Sequence, residues 1–218
     1  MHVYESPHLR RLRSDFAALE GLRVESSVCR FKADGGTPPR RYVVEFQGTA
    51  AAREFGRIVV RTRHRVEIKL GASYPRVMPE LRWLTPIYHP NISDQGMVCL
   101  GGFGTHWVPS ISLEDLCAML WDMARMSNYD VRSPYNREAA LWAATQTDFQ
   151  FPLDPRPLRD LRAGATRDGV PAASPLPNDV VIVLDGSIDD ELIVVDEPAA
   201  SSPRGAQLAR PAEITFLE

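Results

Sequence analysis

The stretch VESSVCRFKADGGTPPRRYVVEFQGTAAAREFGRIVVRTRHRVEIKL (24–70) decides the fold class. Within it, VESSVCRF (24–31), RYVVEF (41–46), RIVVR (57–61) and RVEIKL (65–70) are short runs rich in β-branched and aromatic residues, the last alternating strictly. Turn-formers separate them: Asp34-Gly35-Gly36 with Pro38-Pro39, then Gly48 and Gly56. ELRWL (80–84), after Pro75 and Pro79, predicts a further strand. A helix followed by consecutive strands with short links argues for an antiparallel β-meander with helices on one face, an α+β architecture.

Working outward, SPHLRRLRSDFAALE (6–20) reads as an amphipathic helix. Leu9, Leu12, Phe16 and Leu19 form its stripe, Ser6 caps it and Pro7 suits its first turn. Arg10, Arg11 and Arg13 lie largely off that stripe, and Gly21 is the expected stop. Residues 85–111 hold many turn-formers and almost no periodicity, yet offer Ile87, Tyr88, Ile92, Val98, Leu100, Phe103 and Trp107 for burial, so a functional loop is expected. SLEDLCAMLWDMARM (112–126) and NREAALWAATQ (136–146) predict two further helices, the first capped by Ser112.

Half of the 18 prolines fall in the last 68 residues. The expected organisation is therefore a folded body over 1–150, a Pro-rich linker over 151–178 and an acidic extension over 179–218. Inside the extension, VVIVLD (180–185) and ELIVVDE (191–197) flank Asp185-Gly186, which suits either a hairpin or strands that add to a partner's sheet edge.

Composition narrows function. Residues 1–150 hold 19 basic and 16 acidic side chains, a net +3, and residues 151–218 hold 6 and 12, a net −6. No concentrated basic face argues for nucleic acid, no apolar run reaches the roughly 20 residues that span a bilayer, and no apolar leader precedes the first helix. A cytoplasmic protein that binds neither nucleic acid nor membrane is expected. Three cysteines (Cys29, Cys99, Cys117) are too few for a disulfide framework or a four-ligand zinc site, and neither metal nor cofactor is expected.

Cys99 differs from the other two. It lies in the irregular stretch, with Gly96 before it and Gly101, Gly102 and Gly104 after it, where a bulky partner can approach the backbone. A thiol so placed suits a nucleophile or thioester carrier, while a small buried hydrophobe is the alternative. Cys29, in a strand, and Cys117, on a helical stripe, read as structural.

YPRVMPELRWLTPIYHPNISDQGMVCL (74–100) resembles the core signature of ubiquitin-conjugating enzymes. The likeness includes Tyr74-Pro75 with Pro79, the phrase LTPIYHPNI, the tripeptide His89-Pro90-Asn91, and a cysteine eight residues after the asparagine. Trp107 and Pro109 match the family's tryptophan–x–proline loop, and SPYNREAALWA (133–143) resembles the segment opening its late helix. The order of elements is also the family's, over about residues 6–150.

The resemblance implies an α+β ubiquitin-conjugating fold with a catalytic core over 1–150. Cys99 would accept a ubiquitin-like protein from an activating enzyme as a thioester and pass it to an amine of a target protein. Asn91 would stabilise the oxyanion or order the loop; His89, Pro90, Trp107 and Ser133 would support the site, His89 as a hydrogen-bonded imidazole. Arg10, Arg11 and Arg13 resemble the face offered to the activating enzyme. Departures are Gly101, where many members carry an acidic residue, Ser133 at an acidic gate position, and Arg76 at a ligase-docking position. Asp130 is near enough in sequence to substitute for a missing carboxylate. Divergence, the arginine bias and the extension look bacterial or archaeal, as in compact conjugation operons, some proposed for antiviral defence. The alternatives are an inactive variant that binds ubiquitin-like proteins and a scaffold of the same fold.

Overall fold

The computed structural model describes residues 5–101 and 107–161 and the strand Ile182–Val183. The chain divides into two units, Met1–Gly186 and Ser187–Glu218. Every element described belongs to the first, and the second lies outside the described residues. Helix α1 (Pro7–Glu25) precedes strands β1 (Cys29–Ala33), β2 (Arg41–Glu54), β3 (Arg57–Lys69) and β4 (Glu80–Trp83), then helices α2 (Leu113–Ala124) and α3 (Arg137–Thr145), and β5 (Ile182–Val183). Strands β1–β4 pair antiparallel in sequence order, the meander expected from their short links.

Register assigns the two faces. Tyr42 pairs with Ile68, Val44 with Val66 and Phe46 with His64, all buried on one face. Leu12, Leu19 and Leu22 of α1 and Leu116, Leu120 and Trp121 of α2 join those residues in one core, with the Phe46 and Trp121 rings 5.6 Å apart. Burying such side chains stabilises by roughly 1.5–3 kcal/mol each. The other face is laced with ion pairs, Arg41 and Lys69 to Glu67 and Arg65 to Glu45.

Three expectations are corrected. Gly21 does not stop α1, which continues to Glu25 because Leu22, 1% exposed, extends the buried stripe. That burial outweighs the roughly 1 kcal/mol a helical glycine costs. The runs 57–61 and 65–70 are one strand. Nor is Gly48 a turn: it lies within β2 at a register shift between Gln47 and Ala50. A Cβ there would stand 2.4 Å from the Trp121 ring and 2.5 Å from the Asp154 carboxylate. The true turn is Phe55-Gly56, with φ of 48° and 81°, the left-handed pair that a two-residue hairpin requires.

The folded body also runs past residue 150. Residues 151–161, expected to begin the linker, are stapled to the core. Leu158 is buried, the Trp121 indole donates to the Arg156 carbonyl (2.8 Å), and Ser27 N–H donates to Asp160 (2.7 Å). Arg159 bridges Glu25 of α1 and Glu114 of α2. Asp154, 3% exposed, accepts from Thr49 N–H and from Arg156. Burial acts to raise its carboxyl pKa, but the bonds from Arg156 and Thr49 outweigh this and hold it below the usual range. Asp154→Ala leaves these donors unpaired and is expected to destabilise the chain by about 2 kcal/mol or more. Chemical denaturation of the full-length protein measures it, and an unchanged midpoint would return this segment to the status of linker.

Candidate active site

The site is built on a hairpin-like loop whose base is the Asn91–Cys99 pair. Cys99 N–H donates to the Asn91 carbonyl (2.9 Å), and Ile92 and Val98 form a bridge above it. Ser93 N–H donates to Met97 and Gly96 N–H to Ser93, closing the turn. The eight-residue spacing between asparagine and cysteine is thus the length of one closed loop. Gly96, φ 81°, lies so close to β4 that a Cβ would sit 2.1 Å from the Trp83 carbonyl oxygen.

The tripeptide before the loop grips the segment after α2 at three points. The buried His89 ring meets the Asn128 carbonyl through Nε2 (3.3 Å) and accepts from Asn91 N–H through Nδ1 (3.0 Å), so the neutral Nε2–H tautomer fits both. The Pro90 carbonyl accepts from Tyr135 and Asn136 N–H (2.8 and 2.9 Å), where Asn136 caps α3. The Asn91 amide donates to the Asp130 carbonyl (2.9 Å) and accepts from Asp130 N–H (2.7 Å).

Cys99 is half-buried at a shallow hollow of about 30 Å³ shared with Asn91, Leu100, Gly101, Met119, Met123, Asn128 and Asp130. That volume admits a water-sized group rather than a small-molecule ligand. Burial pushes the Cys29 thiol up to about 12 and the Cys117 thiol well above its ordinary value, leaving Cys99 as the accessible thiol. Among the described residues, no group of His, Cys, Asp and Glu side chains could hold a metal ion.

The remaining sequence-derived residues divide. Trp107 is tied to the Tyr74-Pro75 turn, its indole donating to the Pro75 carbonyl (2.6 Å) rather than lining the hollow. Ser133 is exposed and does not line the hollow. Arg11 is committed inside the protein: it pairs with buried Asp15 (2.6 Å) and donates to the Tyr74 hydroxyl and to the carbonyls of Pro109 and Ile111. Arg10 and Arg13 stay exposed, Arg13 paired with Glu5. Asp130 and Asn128 line the hollow beside Cys99. The sequence signals neither role strongly, because both make their key bonds through backbone groups.

Residues 60–151 match a family model described as ubiquitin-conjugating enzyme. The chain is similar to ubiquitin-conjugating enzyme E2 16 of Schizosaccharomyces pombe, 40% identical over 76 residues, 34% of this chain and 46% of the relative. It is similar to ubiquitin-conjugating enzyme E2 N of Drosophila melanogaster, 29% identical over 85 residues, 38% of this chain and 55% of the relative. It thus spans about half the length of these two curated relatives. Among solved structures, the E2 domain of a Toxoplasma gondii ubiquitin conjugating enzyme aligns at 22% identity and a TM-score of 0.45, covering 63% of this chain and 86% of that one. Among the described residues, no helix is long and apolar enough to cross a membrane.

Two measurements follow from the clamp. Asn91→Ala removes both bonds to Asp130 and is expected to lower stability by roughly 2–3 kcal/mol. Thermal melting checks this, and a wild-type Tm would show that the loop does not depend on the amide. Burial also lowers the pKa values of His89 and His64 from 6.5 to about 4. A folded-state pKa below the unfolded one favours the neutral ring, so this stability is fully present above pH 6.5 and is lost as pH falls toward 4. Each histidine contributes on the order of 2–3 kcal/mol to that loss. A Tm profile over pH 4–8 should show the fall, flattened in His64→Gln; superimposable slopes would remove His64 from the account.

Proposed function

We propose that the chain is an active ubiquitin-conjugating-type enzyme with Cys99 as its thioester carrier. The single observation behind this reading is the accessible Cys99 thiol, fixed to Asn91 on a closed loop inside the span that matches the family. In the first step the Cys99 sulfur attacks the carbonyl carbon of a ubiquitin-like protein's C-terminal thioester on its activating enzyme. A C–S bond forms to Cys99, the old C–S bond breaks, and the activating enzyme's thiol leaves with the proton Cys99 gave up. In the second, an amine of a target protein attacks the same carbonyl, an amide forms and the Cys99 thiol is restored.

The small hollow agrees with this reading, in which both reactants are macromolecules that present their reacting groups at the surface. Asn91 acts first by ordering the loop: its carbonyl oxygen and one amide N–H are taken by Asp130. The second N–H of its NH2 group is left for a developing oxyanion. Of the two positions considered for a missing carboxylate, Asp130 lines the hollow beside Cys99 and Ser133 does not; the Asp130 carboxylate accepts from Arg132 N–H (2.7 Å). Charge complementarity to the activating enzyme rests on Arg10 and Arg13, since Arg11 is spent inside; reversing both should raise the carrier concentration needed for charging. Retention of Cys99 and Asn91 favours this reading over a non-catalytic binding module. The arginine bias and the extension are what support a bacterial or archaeal conjugation operon as the setting; the relatives named above are eukaryotic, and inspection of the neighbouring genes decides.

Incubation with a ubiquitin-like protein, its activating enzyme and ATP should give an adduct that a thiol reductant removes. Cys99→Ala should abolish it, Cys29→Ala and Cys117→Ala should keep it, and Cys99→Ser should give a reductant-resistant oxyester. An adduct that survives in Cys99→Ala would sink the assignment.

A further inference from the structure

The long β2–β3 hairpin leaves half of one strand without a neighbour from the meander. β4 pairs with β3 only over Val66–Lys69, and the chain leaving β4 stays beside β3 as far as Arg65, where Leu84 N–H and the Thr85 hydroxyl meet its backbone. Farther out, the opposite edge of the hairpin is met by Tyr88, whose N–H donates to the Ala51 carbonyl (2.7 Å). Over Ile58–Val60, the outer edge of β3 has one strand neighbour among the described residues. It is β5, paired antiparallel with Val183 opposite Val59 and Ile182 opposite Val60.

The phase of this edge follows from the turn. Glu54 and Arg57 flank a two-residue loop and so form a hydrogen-bonded pair; peptide groups then alternate along β3. Those of Arg57, Val59 and Arg61 face β2, while those of Ile58 and Val60 face outward. An outward row of unpaired N–H and C=O groups beside β-branched side chains is a template for another strand. The strand that meets it, Ile182–Val183, belongs to the sequence DVVIVLD (179–185), which is β-branched in the middle and acidic at both ends.

We propose that the outer edge of β3 at Ile58–Val60 is a strand-addition site and that the chain's own strand Ile182–Val183 is its resident occupant. The extension then serves in part as an internal cap. It covers a sheet edge that the meander leaves open, and it competes with any extended apolar strand flanked by carboxylates that approaches this edge. Of the hairpin expected between 180–185 and 191–197, all but Ile182 and Val183 lies outside the described residues. The inference is independent of the chemistry at Cys99.

Proline substitutions in the full-length chain test it by phase. The Ile182 N–H faces Val60, so Ile182→Pro deletes a pairing donor; the Val183 N–H faces away, so Val183→Pro is tolerated. Hydrogen exchange of the Val60 amide, followed by NMR, should accelerate roughly tenfold or more in Ile182→Pro and stay near wild type in Val183→Pro. A fluorescein-labelled peptide NDVVIVLDGS, followed by anisotropy, should bind Ile182→Pro at least about tenfold more tightly than wild type, because the cap no longer competes. Equal Val60 exchange in wild type and Ile182→Pro, or equal peptide binding by both, would overturn the proposal. Sedimentation should show a wild-type monomer; a dimer that Ile182→Pro dissociates would place the occupant on a second copy and overturn the intramolecular assignment.

Discussion

Three consecutive residues, His89, Pro90 and Asn91, hold the segment after α2 with three different groups: an imidazole, a carbonyl and a carboxamide. The segment they hold, 128–136, has little apolar anchorage of its own; Tyr129, Val131 and Tyr135 are exposed. Its position is therefore set by hydrogen bonds made from inside the fold. Asn91 also bonds Cys99 through its carbonyl, so one residue fixes both the thiol and the backbone facing it. Preorganisation of this kind lowers the rearrangement needed when a reaction partner meets the loop. It also explains why the histidine is buried and neutral: a charged ring could not accept the Asn91 N–H.

Much of the fold is legible in the sequence because it is carried by periodic apolar patterns. The alternation in 65–70 and the stripes of α1 and α2 report the core directly. What stays hidden is held by aperiodic polar contacts. Residues 151–161 look like a linker, since Asp154, Arg156, Arg159 and Asp160 carry no periodicity, yet each finds a partner across more than 40 residues or caps a local bend. Arg11 reads as solvated for a related reason. A stripe analysis assigns every off-stripe residue to water and cannot foresee that Asp15, itself buried, makes an apolar-facing position ionic. At the site, Cys99, Asn91 and His89 are legible through spacing, while Asn128 and Asp130 are not, because their recognition runs through peptide groups that every residue shares.

The site is also framed from its far side. Trp107 hangs from the Pro75 carbonyl, and Arg11 from α1 reaches the carbonyls of Pro109 and Ile111 just before α2. Asp15 then accepts from Leu113 N–H at the first turn of α2, beside the Ser112–Asp115 capping box. The first helix is thus tied to the start of α2, beyond the Asn91–Cys99 loop, through one partly buried ion pair. A change on α1 that disturbs Asp15 reaches the start of α2 without passing through the sheet.

The burial of two of the three cysteines has a practical side. A maleimide or haloacetamide reacts with thiolate, and burial raises the pKa of Cys29 and Cys117 so that this form is scarce at both at neutral pH. The native chain therefore comes with a single addressable sulfur already set apart by its own packing. A dye, a spin label or a cross-linker can be installed at Cys99 without first stripping the other thiols from the core.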